Sequence, residues 1–225
     1  MHTDSNSNSP LFSLFEDSNT VEKIKKRLPH LFWLAMIDSS RAGKAGMQIG
    51  SAREAIIIAL LIYKFGEQNV KTDIPIIEPE VDVIVNNQPI SIKTITAKTI
   101  GGGVKAIWTV DAQKAREFVA NYKPRCDILF IQVNYDAVGT FAFIPLSVQE
   151  EVFLNLGRDK YFLLPKQGTN PRGVEFSKTA MLSLVSHANT MKIEIPWIRP
   201  TDKYNQYKRW LDYWVSSSTE EEEEN

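Results

Sequence analysis

An aspartate and a lysine stand in two apolar, β-branched stretches, Glu80-Val-Asp82-Val-Ile-Val85 and Pro89-Ile-Ser91-Ile-Lys93-Thr-Ile-Thr96, separated by Asn86-Asn87-Gln88. Charged side chains are rare among such neighbours unless something uses them. The asparagines signal a hairpin. A two-residue loop pairs residues whose numbers sum to 173 if Asn86-Asn87 turn, or to 175 if Asn87-Gln88 do. The first register sets Asp82 opposite Ser91, the second opposite Lys93. In both, Asp82, Ser91 and Lys93 lie on one face, because strand side chains alternate. A carboxylate there can hold Mg²⁺ against a phosphate oxygen, and an ammonium nearby can orient or help deprotonate a water and screen developing charge. That is half of a phosphodiester-cleaving centre.

One carboxylate holds Mg²⁺ weakly, so a second is needed from another element. Glu54 is the best candidate. It sits early in residues 51–66 (SAREAIIIALLIYKFG), a run too long for a strand, apolar nearly all round and stopped by Gly66. That describes a buried helix starting at Ser51. Glu80 shares the face of Asp82 and stands in reserve. Plainer readings exist for each residue: Ser51 and Glu54 fit a capping box, and Asp82 with Lys93 fits a cross-strand ion pair. The preceding DSSRAGKAGMQIGS carries three glycines in eight positions, which predicts a loop. In it Arg41 and Lys44 suit phosphates, Gln48 suits a base edge, and Met47 suits an apolar wedge between base steps. Lys98, Thr99 and Lys105 flank Gly101-Gly102-Gly103, where backbone can approach a phosphate closely.

The elements that must position these groups follow from pattern. Residues 20–28 predict a helix stopped by Pro29, followed by an aromatic-apolar helix. After the Glu54 helix come three short β-branched stretches, around 70–77, 80–85 and 89–96, which predict a meander. Asp111 opens a helix that ends before Pro124. The segment CDILFIQVNYDAVGTFAFIPL predicts two strands, and SVQEEVFLNL, FSKTAMLSLVSHA and TDKYNQYKRWLDYWV predict helices. Trp210 and Trp214, four apart, predict packing of the last of these.

At 225 residues and 43% hydrophobic, the chain can bury one core. It reads as a single α/β domain over 11–216, between a polar segment 1–10 and an acidic tail 217–225 that are both expected to be disordered. Removing the five charges of Glu220 to Glu224 from the net −1 leaves +4, which permits nucleic-acid binding without arguing for it. The one cysteine, Cys126, excludes an internal disulfide and a cysteine-based zinc site. The longest apolar run is about half of what a bilayer demands, so a soluble cytoplasmic protein with no membrane partner is expected. No phosphate-binding G-x-x-x-x-G-K-[ST] is present, and no nucleotide cofactor is expected.

The order helix, three-stranded meander, helix, strand, with Asp82, Lys93 and a helix-borne Glu54, resembles the PD-(D/E)XK nuclease superfamily over roughly residues 51–146. The resemblance implies that Asp82 and Glu54 bind the metal, that the backbone carbonyl of Ile92 is a further ligand, and that Lys93 completes the catalytic centre. Two departures stand out. Pro79-Glu80 replaces Pro-Asp two residues early, and Ser91 takes the place of the usual acid, so the site depends on Glu54. Within the superfamily the chain is similar to type II restriction endonucleases that cut a CGCG palindrome to blunt ends. That similarity implies double-stranded DNA as partner, a C2 homodimer, and Mg²⁺ as cofactor, with Mn²⁺ able to substitute and Ca²⁺ binding without supporting cleavage. Two other readings stay open: a non-catalytic DNA-binding module of this fold, and a repair or junction nuclease.

Overall fold

The β-branched runs on either side of Asn86-Asn87 seed the main sheet. In the computed structural model, which describes residues 9–40, 45–75, 80–164, 173–201, 205 and 207–216, β1 (Val70–Lys71), β2 (Val83–Val85) and β3 (Gln88–Thr96) form an antiparallel meander. Asn86 and Asn87 have φ of 48° and 66°, the positive pair that a type I′ hairpin turn requires. Val83 pairs with Ile90 and Val85 with Gln88, so the register is the one that sets Asp82 opposite Ser91 and not Lys93. The acidic tail 217–225 and residues 1–8 lie outside the described residues.

The chain then makes a crossover. Asp111 caps α4 (Ala112–Asn121), its carboxylate accepting from the Gln113 and Lys114 amides at 2.8 and 3.1 Å. The helix returns the chain to β5 (Asp127–Val133), parallel to β3, and β6 (Val138–Ile144) and β9 (Met191–Pro196) follow antiparallel. The sheet order is β1-β2-β3-β5-β6-β9. The predicted sequence of helix, three strands, helix and two strands is therefore present. A second sheet, β4-β8-β7, is built from β4 (Lys105–Ile107), β7 (Phe162–Leu163) and β8 (Val174–Phe176). Helices α5 (Leu146–Leu156), α6 (Arg158–Tyr161) and α7 (Lys178–Ser186) complete that side.

Two helix boundaries depart from expectation. Pro29 does not stop its helix: after the short α1 (Phe12–Glu16), α2 runs unbroken over Ser18–Ser40 with Pro29 inside. Ile24, Leu28, Phe32 and Ala35 form its buried stripe, and burial of that stripe outweighs the roughly 3 kcal/mol that an internal proline costs. Likewise α3 spans Ala45–Phe65, so most of the expected glycine-rich loop is helix. Glycine costs only about 1 kcal/mol per helical position, which the apolar run behind it offsets. Gly66, at φ 85°, ends α3 as predicted.

Apolar layers cover both faces of the main sheet. One contains α1, α2 and α3 with Ile90, Ile92, Phe141, Phe143 and Trp197. The other contains Val104, Ala115, Phe130, Tyr161, Phe176 and Leu184 from the α4, α5 and α7 side. Ile92 belongs to the first and Ile95 to the second, as strand alternation requires. Trp214, expected to pack the last helix, is 79% exposed on α8 (Lys208–Ser216). Among the described residues no helix is long and apolar enough to cross a membrane.

Candidate active site

Helix α3 and strands β3 and β4 enclose a cleft of about 460 Å³ lined by Gly50, Ser51, Glu54, Asp82, Ile92, Lys93, Thr94 and the segment from Gly103 to Trp108. Asp82 stands just ahead of β2. Its amide donates to the Ile90 carbonyl at 2.9 Å, and its Oδ2 accepts from the Ile92 amide at 2.5 Å and from the Ser91 hydroxyl at 3.2 Å. Ser91 is buried. The serine at the position of the usual acid thus orients the aspartate that remains, which lines the cleft with one carboxylate oxygen holding two donors.

Lys93 donates from Nζ to the Ala106 carbonyl of β4 at 3.4 Å. It makes no ion pair among the described residues, so the plain cross-strand pair with Asp82 does not form. The hairpin register explains this, since it gives Asp82 to Ser91.

Glu54 is half-buried on α3. Burial pushes its carboxyl up from the ordinary carboxylate value, the charge of Asp82 pushes it further, and Lys93 opposes both. Three groups from a helix, a pre-strand turn and a strand therefore act within one another's field. Because α3 begins at Ala45, Ser51 and Glu54 lie inside the helix, where the amides are already committed to intrahelical bonds, and the capping-box reading falls. Glu80, the reserve acid, is also raised by burial, against the opposing charges of Arg125 and Lys93. It lines a separate hollow with Lys114, Glu117 and Tyr122.

Whether these groups suit a metal can be tested on backbone direction. Ile90 accepts from Asp82 through its carbonyl and Ile92 donates to Asp82 through its amide. Residues two apart on a strand turn their polar groups the same way, so the Ile92 carbonyl also faces Asp82. Among the described residues no three His, Cys, Asp or Glu side chains converge as a metal cage. Two carboxylates and a carbonyl are instead the partial set that Mg²⁺, which keeps several waters, takes from proteins. The mutual repulsion of Glu54 and Asp82 favours a cation between them.

The expected DNA-contacting residues divide. Arg41 and Lys44 lie outside the described residues. Met47 and Gln48 fall in the first turn of α3, on the same helix as Glu54. Lys105 lines the cleft but is paired with Glu175 at 2.9 Å and lies 5.0 Å from the Trp108 ring centroid. Lys98 and Thr99 are exposed beyond the end of β3 and do not line the cleft. Sequence reasoning missed Trp108, 58% exposed at the cleft rim; in sequence it stands in the short apolar run Ala106-Ile107-Trp108, which reads as packing.

A family model of the restriction endonuclease ThaI matches residues 14–216. Among solved structures, a restriction endonuclease in complex with substrate DNA is 51% identical, with 92% of this chain and 100% of that chain covered and a TM-score of 0.83. No curated protein matches. Restriction endonucleases generally use divalent metal ions, in keeping with two carboxylates facing one cleft. A match along nearly the whole chain, with half of the residues identical in a solved relative of the same fold, places this molecule: the chain belongs to the ThaI restriction endonuclease family and is a site-specific DNA nuclease.

Proposed function

We propose that the chain is a cytoplasmic type II restriction endonuclease that hydrolyses both strands of duplex DNA at the palindrome CGCG, leaving blunt ends, with Mg²⁺ as cofactor and as a C2 homodimer. The observation that carries this reading is the convergence of Glu54, Asp82 and Lys93, from three separate elements, in one cleft. The solved relative was captured with substrate DNA, and a palindrome read by one active site per strand calls for a two-fold pair of subunits.

Glu54, Asp82 and the Ile92 carbonyl would hold the ion, which when bound supplies Lewis-acid stabilisation of charge developing on the scissile phosphate. Asp82 is fixed in advance by Ser91 and the Ile92 amide, so little reorganisation is needed on binding. Glu54 must be ionised, which its surroundings oppose until a cation enters. The Lys93 ammonium, tethered to the Ala106 carbonyl, orients the attacking water and screens charge on the phosphate oxygens. Met47 is assigned as a wedge between base steps and Gln48 as a base contact. Arg41, Lys44, Lys98, Thr99 and Lys105 are assigned to phosphates.

The test is digestion of plasmid DNA by wild type and Asp82→Ala, with Mg²⁺ or with EDTA, followed by mapping of the ends. Discrete Mg²⁺-dependent fragments from wild type alone, every one with a blunt end inside CGCG, are expected. Ends elsewhere would reject the target sequence. Equal DNA binding with and without Mg²⁺ and no cutting would reject nuclease action in favour of a binding module.

A further inference from the structure

Helix α3 buries residues 53, 57 and 61 as one stripe, and the first of these is an arginine. Arg53 is only 5% exposed, and none of the ion pairs among the described residues includes it. A buried cation without a carboxylate is destabilising, and an apolar residue of similar length would pack there at lower cost. Stability therefore does not explain the arginine, whereas its contacts give it another role.

Arg53 Nη2 donates to the Thr96 hydroxyl at 2.9 Å, where β3 ends. The guanidinium lies over the Phe32 ring, 5.4 Å from its centroid. Phe32 packs tilted against Trp197, and Trp197 edge-to-face against Tyr135, with centroids 5.5 and 6.0 Å apart. Trp197 is itself seated against Gly139, where an added Cβ would come 2.4 Å from the indole nitrogen. The guanidinium is thus held by a rigid aromatic wall while its fork reaches the strand. The end of β3 is fixed sideways by β5, through Ala97 N–H to the Val133 carbonyl and Gln132 Nε2 to the Ala97 carbonyl. Arg53 adds the tie that runs from the sheet to the helix above it.

We propose that Arg53 is a positioning residue for DNA cleavage: by bracing α3 against the end of β3 through Thr96, it sets the separation between Glu54, its neighbour on the helix, and Lys93 on the strand. The inference rests on the reading of Glu54, Asp82 and Lys93 as the active centre. Arg53 acts through geometry and not through its charge. Adjacent helical residues diverge by about 100°, and the groups that govern Glu54 are Asp82 and Lys93. Thr96 and Ile92 share the face that α3 covers, whereas Lys93 projects from the other. A lysine would keep the charge but lose the planar fork that stacks and reaches at once.

The test is single-turnover cleavage of plasmid DNA across a Mg²⁺ titration by full-length Thr96→Val, Thr96→Ser, Arg53→Lys and Glu54→Gln, with affinity for the same DNA in Ca²⁺ and Tm measured alongside. Thr96 is exposed, so Thr96→Val removes the acceptor without disturbing the core. It should bind DNA like wild type, melt somewhat lower because a donor of the buried guanidinium is left unpaired, lose about tenfold in maximal rate, as displacements below an ångström do, and need several-fold more Mg²⁺ for half its rate. Thr96→Ser should restore both values, and Arg53→Lys, where it folds, should lose more than Thr96→Val. A wild-type rate and Mg²⁺ response in Thr96→Val, or a loss that serine does not restore, overturns the brace. Wild-type cleavage by Glu54→Gln instead removes the reading of the site on which the brace depends.

Discussion

Helix α3 carries one acid–base neighbourhood at its C-terminal end and another at its middle, and the two behave oppositely. At its C-terminal end Lys64 Nζ sits 2.5 Å from Asp17 Oδ2 and 3.1 Å from the Thr20 hydroxyl. Contact with Lys64 first, and then Thr20, holds the Asp17 carboxyl well below the usual carboxylate range. At its middle Glu54 faces Asp82 and Lys93, and burial with a like charge raises it from its ordinary value. The residue types are the same; the difference is contact. A carboxylate and lysine that touch have satisfied each other and stabilise the fold. Two carboxylates and a lysine held short of contact keep their field for something else, which in a DNA nuclease is a cation and a phosphate.

The largest effect that would sharpen this contrast is at the two lysines. Lys93→Ala should lose on the order of 10³-fold in cleavage rate with little change in Tm, since its hydrogen bond among the described residues is a 3.4 Å contact to a backbone carbonyl. Lys64→Met should do the reverse, cleaving normally and melting lower. If Lys93→Ala keeps its rate within a few-fold of wild type, the two neighbourhoods are alike after all.

An intermediate effect separates the acids by pH. The native pKa of Glu54 is raised, so the folded state holds this proton more tightly than the unfolded chain. The carboxylate form is therefore a cost, absent at low pH, appearing as pH rises past the unfolded value and complete above the folded one. Glu54→Gln removes that cost. In EDTA its Tm should exceed that of wild type at neutral pH, with the gap closing on acidification. A Glu54→Gln Tm below that of wild type at neutral pH, rising to meet it in acid, would mean that Glu54 is stabilised by its neighbours, as Asp17 is.

How far this contrast was legible in the sequence depends on the range of the physics involved. Asn86-Asn87 announced its turn because positive φ is a property of two residues, and the turn then fixed the register. Gly66 ended its helix for the same local reason. The start of α3 and the persistence of α2 through Pro29 were misread, because propensity costs of a few kcal/mol are settled by burial against elements distant in sequence. Strand β9 went unread although Lys192-Ile193-Glu194-Ile195 alternates cleanly. The site divides in the same way. Asp82, Lys93 and Glu54 were visible as charges in apolar runs. That Ser91 orients Asp82, and that Arg53 occupies the buried stripe with Ile57 and Leu61, depends on pairing that only the folded sheet supplies.

The smallest expected effect tests the structural side of the comparison. Asp17→Asn removes the acid that Lys64 and Thr20 hold, in a pair whose side chains are 19% and 37% exposed and so partly screened. A depressed native pKa stabilises the fold above the unfolded carboxylate value and ceases to do so as pH falls through the native one. Asp17→Asn should therefore melt slightly below wild type at neutral pH and low salt, with the difference shrinking as salt rises or as the pH approaches about 3. Its cleavage rate should equal that of wild type at every Mg²⁺ concentration. A change in the Mg²⁺ response would mean that the C-terminal end of α3 reaches Glu54 along the helix axis, and that the contact which stabilises that end also tunes the field at the middle.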